Sequence, residues 1–286
     1  MWNRLEVFSE PVLSRDPLLI VSVSTSIPQY RILYSQAREL ASYLLRKLDF
    51  QMFSSMYSSA MPPAIGIEKD GIAGLVGVNF YYNSAESRDV VLFAGYSSPA
   101  SDEYEYASEV LAFAKKLGIK QIVSIGPRWS ENPISPFDSP EVLGFASDLD
   151  GVRWLEENGV KILKNENSFY FSNLIVPLAS LHGMRAFKLS VNHGEPLPHP
   201  KSSMSFLKVL SKLGIRIDTS DLVEQAKELE EGLKKAGISG VGTGQIMGQE
   251  EEGEEEEEET EVFPGEEEPG EEGGEDGVGP SGDIYR

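Results

Sequence analysis

Short β-branched apolar runs alternate along this chain with segments whose apolar residues recur every three to four positions, which leaves few architectures open. The first run, PLLIVSVSTS (17–26), has strand character. Ala37, Leu40, Ala41, Leu44, Leu45 and Leu48 follow at helical spacing and predict a helix over about 35–48 with one apolar face. PPAIGIEKDGIAGLVGVNFYY reads as two strands joined at Lys69-Asp70-Gly71, because Asp-Gly suits the positive φ of a tight hairpin turn. RDVVLFAGYSS is a buried strand. It precedes a helix with Asp102 as N-cap, Glu105 three residues on, and Ala107, Val110, Leu111, Ala114 and Leu117 on one side. KQIVSIGPR is another short strand.

The second half repeats the alternation. Residues 151–158 read as a helix ended by Gly159, and FSNLIVPLASLHG as a short helix closed by Gly183, its start left open by Pro177. RAFKLSVNHG is a strand. Two helices finish the body: 203–213, with Phe206, Leu207, Leu210 and Leu213 inward, and about 220–236, with Leu222, Ala226, Leu229 and Leu233. The stripe on the last helix suits packing on its own domain or on a neighbouring subunit. These elements predict an α/β body over residues 1–240: three layers, α/β/α, a mostly parallel sheet covered on both faces, and C-terminal helices.

Beyond Gly240 the composition changes. Eighteen of the 46 acidic residues and one of the 25 basic ones lie from Val241 onward, so the first 240 residues carry only −4 of the net −21. Residues 241–283 hold too little apolar surface to offset the entropy of fixing a backbone, and are expected to be a disordered Glu/Gly-rich tether. A flexible chain of roughly 44 residues spans on the order of 35–40 Å, and like charges lengthen it. The island Val262-Phe263-Pro264 reads as decoration or as a secondary docking motif. The chain then closes on Ile284-Tyr285-Arg286, an apolar residue and a tyrosine that are poor choices for a purely solvating segment.

Residues that could carry chemistry are sparse. The absence of cysteine excludes disulfides, thiolate metal sites and thiol nucleophiles. The apolar run near the start is shorter than a signal-peptide core or a membrane span, so an intracellular, cytoplasmic protein with no membrane partner is expected. No basic patch is evident, which argues against nucleic acid. His182 precedes a helix-ending glycine, where it can favour the helix dipole. His193, Glu195 and His199 are close in sequence, but two prolines make their segment a loop rather than a ligand-bearing helix face. GIAGLVG (71–77) runs into VNFYY instead of opening a helix and reads as strand. A pocket is expected at the carboxyl ends of the strands, near AGYSSP (94–99) and IGPRW (125–129), where Arg128 reads as an anion holder or, more commonly, as a surface loop arginine. No catalytic set emerges; the expectation is a protein that is not an enzyme and needs no metal or cofactor.

The stretch EPLPHPKSSMSFLKVLSKLGIRIDTSDLVEQAKELEEGL places a proline-containing loop, a helix ending in Leu-Gly, a link to Ile217-Asp218, and a helix with Leu222 and Ala226. Together with the Glu/Tyr-rich helix start at 103–106 and the strand-loop IVSIGPR, it resembles the archaeal, second-chaperone-like branch of the proteasome assembly chaperone family. The segment YFSNLIVPLASLHGM departs from that family's glycine-rich version. The resemblance implies a three-layer domain that forms small homo-oligomers and works non-enzymatically on the 20S proteasome core particle. In that setting Ile284-Tyr285-Arg286 fits the hydrophobic–Tyr–any-residue motif that proteasome activators insert between neighbouring α-ring subunits. Two other readings stay open: a carboxylate–amine ligase of the ATP-grasp type, and a generic acidic binding module.

Overall fold

The structure is a computed structural model that describes residues 2–237, apart from 28–31, 35, 68, 85–86, 127, 131–134, 169 and 194–198. The first half runs β1 (Asn3–Val7), β2 (Leu18–Val23), β3 (Thr25–Ile27), β4 (Ile32–Tyr34), α1 (Gln36–Lys47), β5 (Gln51–Ser58), β6 (Ile65–Ile67), β7 (Ala73–Leu75), β8 (Val78–Ser84) and β9 (Asp89–Gly95). Next come α2 (Glu103–Lys116), β10 (Gln121–Ile125), β11 (Arg128–Trp129), β12 (Leu143–Ala146), α3 (Leu149–Glu157) and β13 (Lys161–Ile162). The chain continues through α4 (Phe171–Leu181), β14 (Arg185–Ser190), β15 (Asn192–His193), α5 (Pro200–Lys212) and α6 (Ser220–Lys235).

Among the described residues, nine strands form one sheet in the order β1-β5-β8-β9-β2-β10-β14-β12-β13. The sheet is mixed, a refinement of the mostly parallel sheet expected from sequence. Its four central strands, β9-β2-β10-β14, are parallel, whereas β1, β5 and β8 join antiparallel on one side and β12 pairs antiparallel with β14. The alternation of strands and helices reveals only crossovers; β5, β8 and β9 join antiparallel because no helix lies between them, and β1 reaches the flank by pairing with β5 from beyond α1.

β2 shows how the layers are built. All six of its residues are buried: Leu18 and Ile20 face one core, with α1, α3, α5 and α6, while Leu19, Val21 and Val23 face the other, with α2 and α4. A strand covered on both sides has no polar face to alternate with, hence the continuous apolar run. The helices follow the predicted stripes: Leu40 and Leu44 on α1, Val110 and Leu111 on α2, and Phe206 and Leu210 on α5 are all buried. Gly159 and Gly183 close α3 and α4 at φ 78° and 74°, a conformation open to glycine at no steric cost. α4 begins at Phe171, with Pro177 inside it.

Two local expectations are corrected. Asp102 is the N-cap residue of α2, but at φ 49° its side chain makes no capping bond; its carboxylate accepts from the Ser101 hydroxyl at 3.0 Å instead. PPAIGIEKDGIAGLVGVNFYY yields a short hairpin, β6–β7, turning at Asp70-Gly71, and then a separate strand, β8, in the main sheet. Among the described residues no helix is long and apolar enough to cross a membrane.

Close approach fixes one glycine. A Cβ on Gly144 of β12 would lie 2.3 Å from the Lys188 carbonyl oxygen on β14 and 3.0 Å from the buried Val160 side chain, which leaves little room to yield. Gly144→Ala is therefore expected to lower stability by about 1–3 kcal/mol, as overpacking usually does, readable in urea unfolding at constant m. An unchanged midpoint would show that the two strands can part there.

Candidate functional site

The carboxyl ends of β10 and β14 meet the first turn of α4, and there three buried polar side chains come together. Ser124 of β10, Ser172 of α4 and Lys188 of β14 are all at most 1% exposed. Because side chains alternate along a strand, Lys188 shares a face with Ala186, whose side chain belongs to the core under α2 and α4. The Lys188 ammonium nitrogen donates to the Ser172 hydroxyl at 2.7 Å, and the Ser124 hydroxyl donates to the Ser172 carbonyl at 2.5 Å. No carboxylate pairs with Lys188 among the described residues. Burial therefore holds its pKa well below the usual lysine value.

A lysine of lowered basicity beside a serine hydroxyl has the spacing of a base and its nucleophile. Here the pair is closed off. A Cβ on Gly126 would fall 2.4 Å from the Ser172 hydroxyl oxygen and 2.6 Å from the Lys188 nitrogen, so the backbone at Gly126 lies directly over both groups. Neither residue lines the cavity that adjoins them. The arrangement pins the amino end of α4 to the sheet. Sequence reasoning passed over it, although RAFKLS carries a signal: a lysine in mid-strand where neighbours on both sides are apolar.

Above this layer lies an open cavity of about 820 Å³, lined by Glu103 and Tyr104 of α2, Arg128, Glu166, Tyr170 and Ser190, among others. It occupies the expected place beside IGPRW at the strand ends. AGYSSP lines a different cavity instead: Gly95 and Tyr96 belong to a groove of about 370 Å³. Arg128 is not poised for an anion. Its guanidinium grips Glu166 through two bonds, at 2.7 and 3.2 Å, and donates to the Asn192 side chain at 2.5 Å. Glu103 sits in the cavity wall with its carboxyl pushed up by burial.

Two of the histidines cap helices. His199 is buried as the N-cap of α5, its Nδ1 accepting from the Ser202 N–H at 3.2 Å, while burial lowers its pKa. His182 is the C-cap of α4, as expected, and Glu195 lies outside the described residues. Among the described residues no three His, Asp or Glu side chains cluster to hold a cation. The terminal triplet Ile284, Tyr285, Arg286, the island at 262–264 and the segment 241–283 all lie outside the described residues.

A family model described as the PAC2 family matches residues 37–236, from the start of α1 to just past the end of α6. The chain belongs to the PAC2 family. No curated protein matches this PAC2 protein. Among solved structures it is similar to PbaB of Pyrococcus furiosus, an archaeal proteasome activator, with 23% identity and a TM-score of 0.69 over 82% of this chain and 98% of that one. It is also similar to PbaA of the same organism, an archaeal homolog of proteasome-assembly chaperone, at 21% identity and TM-score 0.60 over 82% and 96%. A proteasome-assembly chaperone homologue of Mycobacterium tuberculosis aligns at 16% identity and TM-score 0.64 over 78% and 97%.

Proposed function

We propose that this PAC2 protein is an ATP-independent proteasome-binding factor, an activator or assembly chaperone of the cytoplasm, that docks its tail on the α-ring of the 20S core particle. One observation carries the reading: a hydrophobic–Tyr–Arg triplet at 284–286 ends an acidic, glycine-rich segment attached to a PAC2 body. The names of PbaB and PbaA, which share the fold, support the same partner.

The chemistry of the triplet assigns the roles. The Arg286 carboxylate, which must be free, pairs with a lysine of the α-subunit pocket. Tyr285 supplies a rigid ring and a hydroxyl donor at a loop controlling the gate, and Ile284 fills the apolar edge of the slot. The Arg286 side chain contributes little. A single triplet buries too small an area to hold alone, so the reading includes a homo-oligomer. Several tethered tails raise apparent affinity by roughly 10²–10⁴-fold without new contacts.

Peptide hydrolysis and co-sedimentation with the cognate 20S particle test this, without added ATP. The full chain is expected to bind and accelerate cleavage, and a chain lacking Ile284-Tyr285-Arg286 to do neither. One glycine added after Arg286 should be nearly as damaging, because it moves the carboxylate. Equal binding by all three proteins would transfer the contact to the globular body and end the tail-docking reading. No binding by the full chain would end the proteasome reading.

A further inference from the structure

Between β5 and β8 the chain leaves the main sheet, makes the β6–β7 hairpin, and returns. The cross-strand pairs of this arm are Ile65 with Leu75, Gly66 with Gly74, and Ile67 with Ala73. Alternation therefore gathers Ile65, Ile67, Ala73 and Leu75 on one face and leaves the two glycines on the other. Nothing in the described chain covers that aliphatic face: Ile65, Ile67 and Leu75 are 64, 70 and 63% exposed, and Ile72 in the turn is 62% exposed. A two-stranded hairpin has marginal stability on its own, and water on its one apolar face removes its main source of support.

The groove of about 370 Å³ begins at the base of the arm. Leu75 and Val76 form part of its wall, continued by Tyr81 of β8 and Leu45 of α1, with Arg38 stacked on Tyr96 at 4.6 Å. Its rim adds three more exposed apolar side chains: Phe8, Met52 and Tyr96. Arm and rim together expose on the order of 800 Å², about what one partner contributes to a stable protein–protein interface. The groove floor is mixed, with Ser42, Ser55 and Asn79 among its lining, but its rim is apolar; an apolar arm beside that rim supplies both halves of a two-fold contact on one surface.

We infer that the β6–β7 arm seats in the groove of a second copy of this chain, and that this contact builds the homo-oligomer. The inference assigns the surface behind the oligomer invoked above and does not depend on proteasome binding. Light scattering of the full chain, measured with no 20S particle present, is expected to give at least twice the protomer mass. Ile67→Asp with Leu75→Asp should halve that mass or reduce it further. Its thermal midpoint, measured far below the concentration at which the oligomer forms, should match the parent, since both sites are exposed in one copy. The chain has no cysteine, so cross-links can be placed cleanly. An Ile67→Cys chain mixed with a Met52→Cys chain is expected to give a mixed disulfide dimer on mild oxidation. A monomeric parent, an Asp variant of unchanged mass, or failure of the mixed pair to cross-link would each overturn the assignment. Tail docking can fail while this result stands, and the reverse also holds.

Discussion

Replacing Lys188 by methionine is expected to flatten the rise of stability between neutral and alkaline pH. In the fold, burial depresses the lysine pKa, whereas an unfolded lysine titrates near 10.4. Between those two values the unfolded chain holds one more proton than the native one. Unfolding therefore becomes harder as pH rises, by up to about 1.4 kcal/mol per pH unit. Below the folded pKa both states are protonated, above about 10.4 both are neutral, and the contribution to the slope vanishes at each end. Methionine has no proton to exchange, so Lys188→Met should lose this slope. The single change orphans the Ser172 hydroxyl, so the informative partner is Lys188→Met with Ser172→Ala, which removes both ends of the bond. That double variant is expected to gain about 1–3 kcal/mol at pH 7, the usual cost of an imperfectly compensated buried polar group. Urea unfolding at pH 7, 8 and 9 reads both quantities. An unchanged slope in the variant would mean that Lys188 keeps its proton in the native state.

Phe80→Ala is expected to cost about 3–5 kcal/mol, a large share of the roughly 5–15 kcal/mol that holds a typical domain together. Phe80 is fully buried at the centre of an aromatic cluster. Its ring lies 4.4 Å from that of Phe93, 4.9 Å edge-on from Phe113 and 6.1 Å from Phe53. These rings come from β5, β8, β9 and α2, so the surroundings cannot collapse on the gap without shifting the sheet against its helix. The loss should appear as a lower midpoint with little change in m. Asn79 and Tyr81, on the opposite face of β8, line the groove of the proposed interface. Oligomer mass at low temperature should accordingly survive the substitution. A cost below about 1 kcal/mol would show that the cluster packs loosely.

Much of this fold was legible in the residues. α1, α2, α5 and α6 carry their apolar side chains at helical spacing because each buries one face only, α6 against α5, and periodicity reports a single buried stripe well. β2, β9 and β10 announced themselves as continuous apolar runs because both faces are covered. β5 was missed: QMFSSMYS mixes serines with apolar residues, and buried Ser54 and Ser55 satisfy their hydroxyls through the Glu6 carbonyl and the Asn79 side chain. β12 and β13 are too short to carry a period. Arg128 stood out as a loop arginine beside the strand ends, but its partner Glu166 lies 38 positions away and no local pattern points to it.

By itself the sequence determined which segments are strands or helices wherever burial is one-sided or complete, because hydrophobic spacing is a local record of the faces that must avoid water. It also determined the acidic break after Gly240 and the terminal triplet on which the functional proposal rests. The tertiary structure alone decided the strand order, the antiparallel flank and the Ser124–Ser172–Lys188 lock beneath Gly126. It also decided that the aliphatic face of the β6–β7 arm finds no cover within the described chain. Each of these depends on residues far apart in sequence meeting in space, and such a meeting leaves no periodicity along the chain.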